Sequence, residues 1–364
     1  MKITSDYPGG NIIYKGQKEE KEYTEVFLEQ DIRDSSRWWF YWNFRADSPT
    51  EGKIRFTFQN KEVVCPYGAA VSENGVDWHY DTQGYEDGCH FTYTFDNSGK
   101  SIYFAFSLPY QVLYFERFFS LISADSAVER KILAVSEQGR DIPLVTVGNG
   151  SKDVVFTARH HCCESTASYV LEGVIIALLV EYRELLSEYR FHIIPFMDID
   201  GAENGDQGKA RIPHDHNRDY SDELLYSSVR ALTEYSKSLN NTCLIDFHSP
   251  WRWGGANSRP HIFLTSFKED NDETENRFVS LLEEISEAHT EAAIKYDGYV
   301  IHYDNDTNRP DTKCADGFFK EMRRAKMSLT IETPYSGDFE TPYSAELLRK
   351  WGRDIAEAFY RTFG

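Results

Sequence analysis

With 364 residues, 41% of them apolar, the chain is long enough for about two domains with full hydrophobic cores. A net charge of −20 repels nucleic acid and anionic membrane surfaces, so neither is expected as a partner. Six cysteines without a C-x-x-C pair, no apolar leader in Met1 to Gly10, and no apolar run longer than Val174 to Val180 argue against a disulfide scaffold, a secretory signal and a membrane span. A reduced, cytoplasmic protein is the expectation, and in it the acceptor triplet Asn240-Asn241-Thr242 carries no weight.

Residues 1–122 carry short β-type runs at 38–44, Lys53 to Gln59, Phe91 to Phe95 and Ser101 to Phe106. They alternate apolar with polar and are separated by Gly, Asn and Asp clusters, which predicts an N-terminal antiparallel β-sandwich. From residue 123 to 364 the pattern changes. Strands are predicted at Ile142 to Val147, Val154 to Ala158, Phe191 to Phe196, Cys243 to Phe247, His261 to Thr265 and Met327 to Ile331. They alternate with helices at Thr166 to Arg183, Ser221 to Leu239, Glu273 to His289 and Ser344 to Tyr360. Near-continuous apolar strands imply a sheet covered on both faces, hence an α/β/α domain with a parallel or mixed sheet.

Polar residues fall at the ends of these strands. Val154 to Ala158 runs into Arg159-His160-His161-Cys162-Cys163-Glu164, Cys243 to Phe247 runs into His248, and Met327 to Ile331 runs into Glu332. Ligands of open α/β sheets bind outside the carboxyl ends of strands. Two histidines and a carboxylate form a known catalytic zinc set with one position left for water. His161 and Glu164, spaced H-x-x-E, can face one ion, with His248 closing the set from another strand. Such a metal acidifies a water, and a separate carboxylate, Glu332, is placed to take its proton.

The chain resembles the M14 metallocarboxypeptidases, and among them the cytosolic carboxypeptidases. Ala158-Arg159-His160-His161-Cys162-Cys163-Glu164-Ser165 is similar to the family's A-R-x-H-P-G-E-[ST]; Asp200-Gly201 and Asn204-Gly205 loosely follow a P-D-G-x-x-x-G-N-like segment. Asp215-His216-Asn217-Arg218 is similar to D-L-N-R, Asp246-Phe247-His248-Ser249 to D-x-H-[GS], and Leu329-Thr330-Ile331-Glu332-Thr333 to Y-T-x-E-[ST]. In front, Tyr67-Gly68, Trp78, Tyr103-Phe104-Ala105-Phe106 and Pro109-Tyr110 resemble the sandwich domain that precedes the peptidase in the cytosolic branch.

The resemblance implies one Zn2+ per chain on His161, Glu164 and His248, with Glu332 as general base and a peptide or protein C-terminus as substrate. It implies that Asn217 and Arg218 grip the terminal carboxylate. The family's oxyanion cation is expected nine positions before that pair, where Gly208 stands; Lys209 and Arg211 are the neighbours able to substitute. Tyr303 is the candidate for the tyrosine that covers substrate. A gap-free count back from Glu332 puts Asp316 in the specificity pocket, favouring basic or neutral C-terminal residues; a slipped register would instead make Asp316 a helix cap and turn Lys320 or Arg323 to the pocket. The family's Pro-Gly is Cys162-Cys163 here, so the turn must form without its glycine. Rival readings are a zinc deacylase or amidase, a cell-wall peptide hydrolase, or a weakly catalytic binding relative.

Overall fold

Alternating apolar side chains build the first hundred residues into two five-stranded sheets. One places Lys2–Thr4 (β1), Asn43–Asp47 (β4), Ser101–Ala105 (β10), Ala70–Ser72 (β6) and His79–Tyr80 (β7) side by side. The other orders Ile13–Glu19 (β2), Thr24–Glu29 (β3), Gly52–Phe58 (β5), His90–Phe95 (β9) and Tyr85–Asp87 (β8). In β5, Ile54, Phe56 and Phe58 are buried while Lys53, Arg55 and Thr57 are not, the pattern of a strand with one face on a core. Phe56 packs on Phe91 with ring centroids 4.8 Å apart, and Phe44 on Phe104 at 5.4 Å. The sandwich is antiparallel except for β3 and β5, which pair in parallel. The strand expected at 38–44 starts only at Asn43; ahead of it Trp39 to Trp42 are buried without strand pairing. The computed structural model describes all residues except 38, 49, 98, 222, 241–242, 267–272, 305–313 and 339–340, so part of the triplet at 240–242 lies outside the described residues.

Helix α1 (Val112–Ile122) leads to an eight-stranded mixed sheet. Its order is Val128–Val135 (β11), Asp141–Val147 (β12), Tyr189–Ile194 (β14), Lys152–Ala158 (β13), Cys243–His248 (β15), Met327–Glu332 (β18), His261–Ser266 (β16) and Val300–Asp304 (β17). The middle strands β14, β13, β15 and β18 run parallel, and β12 and β16 flank them antiparallel. Every residue of β15 and β18 is buried. Because successive side chains point to opposite faces, both faces of the sheet are covered. The helices are α2 (Thr166–Val180), α3 (Ile199–Asn204), α4 (Ser227–Ser236), α5 (Glu273–Ala288), α6 (Ala315–Met322) and α7 (Ala345–Phe363). Helix α2 is buried on nearly all sides and crosses α7 at two glycines. A Cβ on Gly173 would lie 2.0 Å from the Arg349 carbonyl oxygen, and one on Gly352 2.0 Å from that of Val170. This close crossing sets α2, and so the turn that feeds it, firmly against the sheet.

Candidate active site

Strands β13, β15 and β18 are neighbours with matched ends: Ala158 pairs with Phe247, and His248 with Glu332. Their carboxyl termini therefore open on one place. The turn after β13 forms without a glycine because Arg159 takes the left-handed conformation, φ 64°. That is an unfavourable state for a side-chain-bearing residue. The buried Arg159 guanidinium braces it, Nε donating to the Cys162 carbonyl at 2.8 Å and Nη1 to that of Tyr110 at 2.6 Å. Ser165 closes the turn on α2, its hydroxyl donating to the Leu108 carbonyl at 2.6 Å. Cys162 and Cys163 are both buried, and burial raises both thiols, Cys163 to about 12, so they stand as neutral packing groups.

His161 and His248 converge on Glu164. The Nδ1 of His161 lies 2.9 Å from Glu164 Oε1, and the Nδ1 of His248 lies 2.7 Å from Oε2. Each imidazole has another carboxylate behind it: Asp215 Oδ1 at 3.3 Å from His161 Nε2, and Asp246 Oδ2 at 2.7 Å from His248 Nε2. Carboxylates placed so fix ring orientation and direct the other nitrogen inward, the usual outer support of metal-binding histidines. Burial opposes charge on both rings, but Glu164 with Asp215 raises His161, and Asp246 with Glu164 raises His248 well above the ordinary histidine value. Burial would raise the Glu164 carboxyl too; Lys209, His161 and His248 hold it well below its ordinary value. Donor atoms of His161, Glu164 and His248 lie within 4.8 Å of one another, so two inward nitrogens and one ionised carboxylate fit a zinc ion. His160, Asp246 and His248 form a second such group. It is the poorer site, because His160 is already bonded to Asp246 at 2.9 Å and Tyr220 at 2.7 Å and does not line the cavity that His161, Glu164 and His248 share. Asp246, steadied by the Thr157 hydroxyl at 2.7 Å, serves His248 instead.

A cavity of about 370 Å³ stands over this set, lined among others by Glu332, Lys209, Asn217, Arg218 and Asp316. Glu332 is 8% exposed, and its Oε2 has no hydrogen-bond partner among the described residues. Burial raises its carboxyl, with His248 pulling the other way. The short helical turn His216–Arg218 is capped by Asp215, which accepts from the Asn217 N–H at 3.0 Å. Asn217 Oδ1 accepts from the Ala315 N–H at 3.0 Å, tying this turn to the start of α6. Arg218 Nη1 donates to the Asn217 carbonyl at 2.8 Å.

Of the two cations left open by the sequence, Lys209 lines the cavity, its Nζ 2.5 Å from Glu164 Oε1. Arg211, the other candidate, is not among the residues that line it. Its guanidinium is engaged by Asp34 at 3.0 Å, Asp198 at 2.7 Å and Asp206 at 3.2 Å. Gly208 could not carry the missing cation: φ is 74°, and a Cβ there would lie 2.5 Å from the Cys162 nitrogen. Asp316 sits in the first turn of α6 rather than at its cap, which is Cys314. Lys320 pairs with Glu275 at 2.6 Å, and neither it nor Arg323 lines the cavity. Tyr303 pairs through its backbone with Thr265 on the strand β17; its side chain lies outside the described residues. Sequence reasoning missed several cavity residues, four of them polar or aromatic groups that face the ligand set's surroundings from unexpected places. Arg37 and Trp39 come from the sandwich domain, Trp251 follows β15, and His261 opposes Glu332 across β16 and β18. His261 opens its strand instead of ending it, and it reaches the same end of the sheet as His248 only because β16 runs antiparallel to β18.

Two family models match the chain in succession: the cytosolic carboxypeptidase N-terminal domain over residues 3–107 and zinc carboxypeptidase over 120–242. An uncharacterised protein of Zymomonas mobilis is 24% identical, the alignment covering 97% of this chain and 94% of that one. Cytosolic carboxypeptidase 6 of Caenorhabditis elegans is 23% identical over 71% of this chain and 63% of its own length. The metallo-carboxypeptidase of Burkholderia cenocepacia superposes with a TM-score of 0.81 at 19% identity, covering 99% of this chain and 98% of that one. The metallo-carboxypeptidase of Pseudomonas aeruginosa does so with 0.79 at 20% identity and the same coverage. Matched in order along both of its parts, the chain belongs to the M14 zinc carboxypeptidases, a family of metallocarboxypeptidase hydrolases, in the branch that carries the cytosolic carboxypeptidase N-terminal domain.

Proposed function

We propose that this metallocarboxypeptidase removes single residues from the free C-terminus of peptides or proteins, with zinc on His161, Glu164 and His248. The observation that carries the reading is the convergence of two inward Nδ1 atoms and Glu164 under a cavity that also holds Glu332 and Arg218. When bound, zinc supplies Lewis acidity, which lowers the pKa of a water and polarises a scissile carbonyl. Arg218 and Asn217 grip the terminal carboxylate, a planar fork suiting two oxygens. Glu332, the one cavity carboxylate with an unpartnered buried oxygen among the described residues, takes the proton of the attacking water and passes it to the leaving amine. Lys209 places a positive charge beside the ligand set, where negative charge develops on the carbonyl oxygen. The division at 122/123 separates the sandwich from this catalytic domain. The match to the cytosolic carboxypeptidase N-terminal domain supports a cytoplasmic setting; among the described residues no helix is long and apolar enough to cross a membrane.

One zinc per chain is expected by elemental analysis of the purified protein, and His248→Ala should lose it. A protein without transition metal, or a His248→Ala variant that retains it, contradicts the ligand set.

Asp316, 2% exposed on the cavity wall, supports a preference for basic or neutral C-terminal residues. Like charges brought together in a desolvated site cost several kcal/mol. Matched peptides ending in Lys, Leu and Glu should show kcat/KM at least about tenfold lower for Glu, each tenfold being about 1.4 kcal/mol. Asp316→Asn should narrow the gap between Lys and Glu. A clear preference for Glu would remove Asp316 from the specificity pocket.

A further inference from the structure

We infer that the sandwich domain takes part in catalysis through Asp34, which positions Lys209 without touching substrate. This rests on the reading of Lys209 as the oxyanion cation. Lys209 lies in a segment without helix or strand, between two residues in the left-handed region, Gly208 at φ 74° and Ala210 at φ 54°. Alanine rarely adopts that conformation, so the segment needs an external template.

The sandwich domain provides the template. Asp34 Oδ1 accepts from the Gln207 N–H at 2.8 Å, and Oδ2 accepts from the Gly208 N–H at 2.8 Å. The same Oδ2 holds Arg211 Nε at 3.0 Å, so one carboxylate clamps the chain on both sides of Lys209. The Ser35 hydroxyl donates to the Lys209 carbonyl, and the Ser36 N–H to that of Ala210 at 2.9 Å. The Gln207 side chain pairs with the Tyr41 backbone, accepting from its N–H at 2.8 Å and donating to its carbonyl at 2.9 Å. The sandwich also meets the ammonium directly, the Trp39 ring centroid lying 5.6 Å from Lys209 Nζ. On the far side Nζ donates to the Pro250 carbonyl at 3.1 Å. From the backbone clamped at 207–211, the lysine stem runs past Trp39 to Glu164. Asp34 itself lines no part of the cavity.

The test is a double-mutant cycle on the full-length zinc protein: Asp34→Asn, Lys209→Met and both together. Asp34→Asn keeps the size of the side chain but weakens acceptance from two amides and a guanidinium. It should lower kcat by about 10- to 100-fold, the scale of a lost charge-assisted interaction, with KM and zinc content little changed. Hydrogen exchange at Gln207 and Gly208 should accelerate in this variant, a readout independent of turnover. Because Asp34 acts through Lys209, the double variant should be no slower than Lys209→Met alone, within about threefold. If the two losses multiply, or amide exchange is unchanged, Asp34 is not the positioning residue while Lys209 keeps its role. If Lys209→Met itself retains kcat within about threefold, the reading of Lys209 falls and takes this inference with it. Should Asp34→Asn fail to fold, Ser35→Ala replaces it. Loss of that hydroxyl should slow the parent and leave Lys209→Met unaffected; equal slowing in both backgrounds overturns the inference.

Discussion

Replacing Glu332 with Gln is expected to lower kcat by about 10²–10⁴-fold while fold, zinc content and KM stay near those of the parent. The amide matches the carboxylate in shape but cannot accept the proton of the attacking water. The side chain has no hydrogen bond to lose at Oε2 among the described residues, and the cavity over it gives the amide access to water. Stability should not fall either. Burial raises the Glu332 carboxyl, so its ionised form opposes folding above its ordinary titration range, and a neutral isostere removes that opposition. Thermal melting at neutral pH should therefore show an unchanged or higher midpoint. Turnover within about threefold of the parent would assign the base elsewhere.

Two of the residues at the site are legible in the sequence for one physical reason. His248 and Glu332 each terminate a strand of wholly buried residues, and a polar side chain at the end of such a run is conspicuous. That the two lie opposite each other was not legible, because β15 and β18 are neighbours in space but separated by β16, β17 and two helices in sequence. Lys209 and Arg211 looked equivalent as cations two positions apart. The backbone decides between them: left-handed turns at Gly208 and Ala210 send Lys209 to Glu164 and Arg211 to a pocket of three aspartates. Arg37 and Trp39 belong to no motif and reach the cavity only because the sandwich docks there. In the fold, β11 escaped prediction because most of its residues are exposed at the sheet edge and show no apolar rhythm. Helix α1 was hidden by its aromatic content, which resembles strand composition, although Phe115 and Phe118 are its buried residues, at helical spacing. The lack of a glycine at Cys162-Cys163 is legible, but not how the turn does without one: the positive φ lies at Arg159, whose own guanidinium holds the turn, and neither cysteine has a positive φ. Local pattern therefore exposed residues whose chemistry is set by their own strand, while residues set by docking between distant segments needed the tertiary structure.

Arg218 should make the enzyme insist on a free C-terminus. A peptide and its C-terminally amidated twin differ in one charge at the point where Arg218 and Asn217 line the cavity. The net charge of −20 makes this local cation more selective, since an anionic terminus gains nothing from the rest of the surface. A hydrogen-bonded interaction between charged groups contributes about 1.5–3 kcal/mol, which corresponds to roughly 10- to 150-fold in kcat/KM. The parent should therefore cleave the acid at least about tenfold faster than the amide. Arg218→Ala should lose that advantage by slowing on the acid while changing little on the amide, so that the ratio approaches one. Arg218→Lys should fall between them, because an ammonium keeps the charge but not the fork that meets both oxygens. Asn217 is the less informative target: its side chain also holds the Ala315 N–H at 3.0 Å and lies 3.3 Å from His248 Nε2, so its loss would disturb α6 and the ligand set together. Equal cleavage of acid and amide by the parent would refute the carboxylate grip and turn the reading toward an endopeptidase or amidase on the same fold.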